Sequence, residues 1–328
     1  MEVIEYTDEY FDKWNDFCMN ESVNGTFLQT KKFLNYHPKE RFEDASLLFL
    51  EKGNIIAICP ACCIREGNEK IFNSHKGSTY GGLVIKKKYY KTEKLLDLIN
   101  LFETYLVQKE YTKIILKITP DILQCENSEL LQFCLLKRGY IQDVFLNTYI
   151  DFEHYKDNIL SNFEQGKRTN VNNCIKYGLV TKPINTREEI EVFYAILCET
   201  LSKYHRLPIH TLEEIVLLKD KILKQEMGLF GAYKDGEMVA GSMMFFFEKA
   251  KCAHAQYLAA KSDYNKLSPM TYMYYSMIEK AKQEGYRLVS WGISSEHDGS
   301  INYGLTRNKE AYGSFHSLNR IFSKMIKT

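Results

Sequence analysis

The sequence predicts a mixed α/β protein with a mixed sheet, built from two tandem units related by duplication. The units are residues 1–152 and 153–328, with the last strand free to pack back on the first unit. Three observations carry this. Apolar residues switch between period-2 and period-3.6 spacing along the whole chain. The segment GLFGAYKDGEMVAGSMMFF in the second half mirrors LLFLEKGNIIAICPACC in the first. Each hairpin leads through further strands to a long amphipathic helix and then to a buried-type strand, Tyr111–Leu116 in one copy and Gly285–Ser290 in the other. Repetition of a whole α/β unit of this length points to duplication rather than to a solenoid. No low-complexity or Pro/Ser-rich linker intervenes and only six prolines are present, so the units abut closely.

The first half opens with a capped helix near Asp8, with Phe11, Trp14 and Phe17 or Cys18 at helical spacing. Strands Ala45–Glu51 and Asn54–Arg65 form a hairpin through Lys52-Gly53-Asn54. Shorter strands follow near Ile71 and at Gly82–Ile85. Leu95, Ile99, Phe102 and Leu106 stripe a long helix. Strand Lys113–Ile118, helix Glu129–Arg138 with Gly139 as its C-cap, and strand Ile141–Phe152 complete the half. The second half reads as helix Asn158–Tyr177, strand Leu179–Pro183 and helices Glu188–Tyr204 and Leu212–Lys224. A hairpin, Gly228–Lys234 and Met238–Glu248, turns on Asp235-Gly236, the strongest short hairpin signal in the chain. Strand Cys252–Ala260, helix Pro269–Glu284, strand Leu288–Gly292, a short helix near Lys309 and a last strand close it.

The bulk numbers exclude several classes. Apolar residues make up 45% and charged residues 26%, the composition of a soluble globular protein. No run approaches 18 apolar residues, and the acidic start MEVIEYTDEYF is no signal peptide, so a cytoplasmic protein without a membrane segment is expected. Nine cysteines, an odd count, point to reduced thiols. The net charge is +1, which argues against a DNA-binding footprint and leaves room for a small phosphate-bearing ligand. Cys59-Pro-Ala-Cys62-Cys63 has no second Cys or His pair at metal spacing and alternates like a buried strand, so no metal site is expected.

Several segments, taken in order, carry a family resemblance. They are Tyr80-Gly81-Gly82; the basic helix from Lys167-Arg168 to Lys176-Tyr-Gly178; FYAILCETLSKYHRLP; LSPMTYMYYSMIEKAKQEGYRLVSWGIS; and Asn302-Tyr-Gly304 through Lys309 to Gly313, where a lysine precedes a glycine by a few residues. The set resembles the Fem-type branch of the GNAT superfamily, with two acyl-CoA N-acyltransferase-fold domains in tandem, over most of the chain. The resemblance implies transfer of an acyl or aminoacyl group onto an amine. The donor is either an acyl-CoA thioester as co-substrate or, as in Fem-type enzymes, aminoacyl-tRNA acting on a cell-envelope precursor. A duplicated scaffold that only binds such a ligand is the non-catalytic alternative.

Acyl transfer to an amine needs a held donor, a deprotonated amine and a stabilised oxyanion. The resemblance places the donor's phosphates at the loop Lys261–Met270, where Asn265, Lys266 and Ser268 are candidate cofactor-binding residues. Ser268 also reads as an N-cap with Pro269 at N1, and the loop contains no glycine, which disfavours CoA. Near-neutral charge disfavours tRNA. Arg168 offers a bidentate fork for phosphate or is part of a solvated helix face. Lys309 follows the C-terminal end of the strand ending Trp291-Gly292-Ile293 and is the leading catalytic candidate, a cation for phosphate or oxyanion. Trp291, Asn302 and Gly304 belong to the same loop region. Glu296 and His297 are candidate proton acceptors, and no spacing selects between them. His205 and His210 bracket Arg206-Leu207-Pro208 and are candidate cleft residues. Tyr80 and Gly81 would let backbone approach a ligand closely.

Overall fold

The computed structural model describes residues 1–126 and 129–326. In the first half the elements are β1 (Glu2–Glu5), α1 (Phe11–Asp16), α2 (Lys31–Leu34), β2 (Glu43–Asp44), β3 (Leu47–Glu51), β4 (Asn54–Cys59), β5 (Cys62–Glu66), β6 (Glu69–Ser74), β7 (Val84–Ile85), α3 (Thr92–Gln108), β8 (Lys113–Lys117), α4 (Leu130–Lys137) and β9 (Ile141–Asp151). The second half supplies α5 (Gln165–Lys176), β10 (Val180–Pro183), α6 (Arg187–Ser202), α7 (Leu212–Leu217), β11 (Met227–Lys234), β12 (Glu237–Phe247), β13 (Cys252–Ala260), α8 (Pro269–Gln283), β14 (Leu288–Ile293), α9 (Tyr303–Glu310) and β15 (Phe315–Met325). Two compact mixed α/β units result: Met1–Phe145 together with the segment from Leu318, and Leu146–Ser317.

Unit 1 holds a four-stranded sheet, β1-β3-β4-β7, and a second sheet in the order β15-β8-β6-β5-β2. The expected strand 54–65 is two strands in two sheets, broken at Pro60. Proline cannot donate to a ladder, so the chain changes sheet there. Lys52 and Gly53 both have positive φ, the two-residue turn that matches strand twist. Leu95, Ile99, Phe102 and Leu106 on α3 are buried against Phe49, Phe72 and Ile114, as their spacing predicts. Cys59, Cys62 and Cys63 are buried free thiols within this strand region, and burial pushes all three thiol pKa values up.

Strands β6 and β8, joined through α3, pair in parallel from Ile71↔Lys113 to Ser74↔Leu116. Where they part, residues 81–82 fill the gap. Gly81 N–H donates to the Lys117 carbonyl at 2.7 Å, and Gly82 N–H donates to Ser74 Oγ at 2.9 Å. Gln29 Nε2 donates to the Gly81 carbonyl at 2.6 Å. A Cβ on Gly81 would lie 2.6 Å from the Ser74 carbonyl carbon, so only glycine passes there.

Unit 2 is one sheet in the order β10-β11-β12-β13-β14-β9. The β11–β12 hairpin turns on Asp235 and Gly236, both at positive φ, as the sequence predicts. Helix α8 links β13 to β14, and α6 lies so close to β12 that a Cβ on Gly241 would meet the Phe193 ring at 2.4 Å. The helix expected from Asn158 begins only at Gln165. Asn158 and Asn162 bond local backbone instead: Asn158 Oδ1 accepts from Leu160 N–H and Asn162 Oδ1 from Lys156 N–H. These contacts close a separate turn at Ile159–Asn162. Thr186 and Glu189 form a capping box that starts α6 at Arg187.

Candidate active site

The site lies where two parallel strands of unit 2 separate. Strands β13 and β14 are in register for three pairs only, Cys252↔Leu288, Ala253↔Val289 and His254↔Ser290. Beyond them β13 continues to Ala260 and β14 to Ile293 with no shared register, and a fork opens between the strands. On its other side β14 pairs with β9, and a bulge interrupts that register between Ser290 and Ile293. Gly292, within the bulge, has φ +72°, a left-handed conformation suited to glycine.

The bulge turns three successive carbonyls toward one point, and Lys309 Nζ occupies it. It donates to Trp291 O at 2.8 Å, Gly292 O at 3.1 Å and Ile293 O at 2.9 Å. An ammonium has three protons, and each finds an acceptor. The side chain is 3% exposed. Burial pulls its pKa down, to about 7, while the three carbonyls favour the charged form. Helix α9 carries this lysine, and Asn302 caps the helix by accepting from Leu305 N–H at 2.8 Å.

Two residues the sequence did not single out sit at the crotch of the fork. His254 Nδ1 lies 3.0 Å from Ser290 Oγ, and Asn147 Oδ1 is 3.4 Å from the same hydroxyl. Burial, with the nearby Lys309 cation, lowers the His254 pKa to about 4, so the ring is neutral at physiological pH. A histidine inside an apolar strand carries no spacing signal. Only the pairing of β13 with β14 reveals its neighbours.

Other sequence candidates are distributed around this centre. Trp291 is buried against Tyr274, with ring centroids 4.6 Å apart. Glu296 is held by Asn302 Nδ2 at 2.5 Å and faces Arg206 at 3.8 Å, so its carboxylate is already engaged. His297 is exposed. Gly304 has only Asn302 Oδ1, at 3.7 Å, near a notional Cβ, so nothing there demands glycine. His210 Nδ1 is 2.9 Å from the hydroxyl of Tyr257, a residue on the open part of β13, while His205 is exposed. Arg168 is half-buried without a side-chain partner among the described residues. Its neighbour Lys167 is the one that reaches α9, bonding Asn308 at 2.6 Å and lying over the Tyr312 ring.

Asn265 and Lys266 are exposed on a turn before α8. Ser268 precedes Pro269 with φ +54° and makes no side-chain cap, contrary to its reading as an N-cap: in that conformation its carbonyl, not its hydroxyl, accepts from Thr271 and Tyr272. The α8 start therefore presents few free N–H groups to a pyrophosphate. Tyr80 and Gly81 belong to unit 1, where the close approach that Gly81 permits is to the chain's own backbone. Asp151, Glu153 and His154 bring possible metal-ligand atoms within 4.8 Å of one another, but Asp151 is already bound to Glu153 N–H and faces Arg287.

A family profile described as "Acetyltransferase (GNAT) domain" matches residues 187–303, which span α6 to the start of α9 and include the fork. Among solved structures, FemX superposes with a TM-score of 0.72 at 14% identity, covering 99% of this chain and 98% of that one. The chain has a tandem GNAT fold, which it shares with FemX. L-PGS from Bacillus licheniformis gives a TM-score of 0.63 at 13% identity, covering 97% and 91%. A tandem GNAT protein from the clavulanic acid biosynthesis pathway gives 0.59 at 10% identity, covering 100% and 99%. No curated protein matches the sequence. Among the described residues no helix is long and apolar enough to cross a membrane.

Proposed function

We propose that this GNAT-fold protein is an N-acyltransferase that moves an acyl group from a thioester of the coenzyme A type to an amine acceptor, with unit 2 as the working half. One observation carries the reading: in unit 2 strand β13 runs on beyond its pairing with β14, opening a fork with the buried Lys309 at the β14 rim, whereas the unit 1 fork is filled by residues 81–82. The edge of β13 beyond His254, which has no register with β14, suits an extended, amide-containing arm that adds to a sheet edge by main-chain hydrogen bonds. In the reaction the amine nitrogen attacks the thioester carbonyl carbon. The C–N bond forms, the C–S bond breaks, and the proton the amine gives up is taken by the departing thiolate, which leaves as the thiol. Negative charge builds on the carbonyl oxygen, and Lys309 in its ammonium form, in a poorly hydrated site, stabilises it electrostatically.

A second reading keeps the fork and changes the donor. The start of α8 is poor in free N–H groups, which favours a donor with no pyrophosphate to hold, such as the aminoacyl ester of a tRNA passed to a cell-envelope precursor. Calorimetry with acetyl-CoA, longer acyl-CoAs and desulfo-CoA separates the two. Micromolar binding that is weakened in Lys309→Met supports the thioester donor. Binding by none of them transfers the case to aminoacyl esters, and turnover with neither donor would leave a ligand-binding protein.

A further inference from the structure

Resting on the acyl-transfer reading, we infer that His254 is a catalytic hydrogen-bond donor: its Nε2–H is placed to receive the oxygen of the acyl carbonyl as negative charge develops there. The ring is fixed from several sides. Ser290 Oγ lies 3.0 Å from Nδ1 and also accepts the Gly292 N–H at 3.3 Å. Asn147 is oriented by donating through Nδ2 to Ser317 Oγ at 3.0 Å, which turns its Oδ1 to Ser290 at 3.4 Å. The serine has one proton to give, and the imidazole nitrogen is the nearer and more basic acceptor. Nδ1 therefore takes that proton as acceptor, and Nε2 carries the ring hydrogen.

That hydrogen has no protein partner among the described residues, although His254 is only 8% exposed. Nor is Nε2 among the side-chain polar atoms fully sealed from solvent. An unpaired buried donor is unfavourable unless something accepts it. The ring stands beside Gly292, the second residue past the last register pair: a Cβ there would come within 3.3 Å of Cε1 and 3.9 Å of Nε2. A bare backbone at that position leaves the imidazole edge open to the fork. Phe247, edge-on at 6.3 Å, closes another side. A neutral ring cannot release a second charge into the site and serves as an electrophile rather than a base. Lys309, at the carbonyls of residues 291–293, adds its field to the same oxygen.

The test compares wild type with His254→Gln, whose amide nitrogen can replace the Nε2 donor, with His254→Leu, which has no donor, and with Ser290→Ala, which releases the tautomer. Acetyl-CoA labelled with 13C at the thioester carbonyl is bound to each, and the carbonyl stretch is read by difference infrared. The expected result is a red-shifted band in wild type and His254→Gln. The shift should shrink in Ser290→Ala and fall to less than half of the wild-type value in His254→Leu, where only the Lys309 field remains, with affinity changed less than about 3-fold. Single-turnover transfer should fall about 10²–10³-fold in His254→Leu, the usual consequence of losing one oxyanion donor. A shift retained in full in His254→Leu, or absent from wild type that binds the thioester, overturns the assignment and leaves the acyltransferase reading standing. No binding by wild type overturns the thioester reading itself. Should His254→Leu fail to fold, the His254→Gln and Ser290→Ala bands decide the matter.

Discussion

His254 and Ser290 are the last facing pair of two parallel strands, and their side chains meet at 3.0 Å where the strands part. The ring is buried at the end of the ladder, and that burial, with the nearby Lys309 cation, sets its protonation state. The fold favours the neutral imidazole, whose pKa lies near 4 against 6.5 for an ordinary histidine. As pH falls the unfolded chain takes up this proton first, so the contribution is constant above about 6.5 and is lost as pH approaches 4. Wild type should lose stability over that window with a slope of up to ~1.4 kcal/mol per pH unit from this group. Urea unfolding at pH 7, 5.5 and 4.5 should show a shallower slope in His254→Gln. His75, buried in unit 1 and held near 3, leaves a residual slope in both.

Removing the ammonium of Lys309 leaves three carbonyls at the end of β14 without their donor. Lys309→Met keeps most of the volume and loses every bond. The expected cost is about 3 kcal/mol or more, seen as a lower urea midpoint with an unchanged m-value. A change within about 0.5 kcal/mol would mean that water replaces the ammonium at no cost.

Glycine substitutions separate the two halves of the chain. Gly81→Ala drives a methyl into the Ser74 backbone and should lower stability by about 1–3 kcal/mol. Gly304→Ala meets nothing closer than 3.7 Å and should be neutral, or slightly stabilising because it lies within α9. Thermal melts of the two variants check the contrast.

Much of this architecture is legible in the sequence because local chemistry agrees with the fold. The Asp235-Gly236 turn, the α3 stripe and the Gly139 cap, at φ +81°, each declare themselves within a few residues. The 54–65 strand misleads because Pro60 moves the chain to another sheet, and alternation reads the same on both sides of it. At the site, Lys309 is legible because it follows a buried strand in an ordered set of motifs. His254, Ser290 and Asn147 are not, because their relation depends on register between strands more than thirty residues apart in sequence. The Gly81 signal is real, but its cause is self-packing, a distinction that only coordinates supply.

The last expectation concerns unit 1, where Lys31 is buried and bonded to Asp44 and, at 2.9 Å, to Ser46 Oγ, with its ammonium 4.0 Å from the Tyr6 ring centroid. Burial pushes the lysine pKa down, and the lysine holds the Asp44 carboxyl below its usual range against the opposing effect of its own burial. The carboxylate therefore adds stability above the ordinary aspartate pKa, and that part is lost as pH falls through the depressed folded value. Breaking the pair should cost more than deleting it. Asp44→Asn leaves a buried unpaired cation and should destabilise by about 3 kcal/mol, whereas Lys31→Met with Asp44→Asn should recover much of that loss. A double-mutant cycle by urea unfolding at pH 7 measures the difference. Equal losses in the single and double variants would show that Ser46 and the Tyr6 ring alone hold the charge.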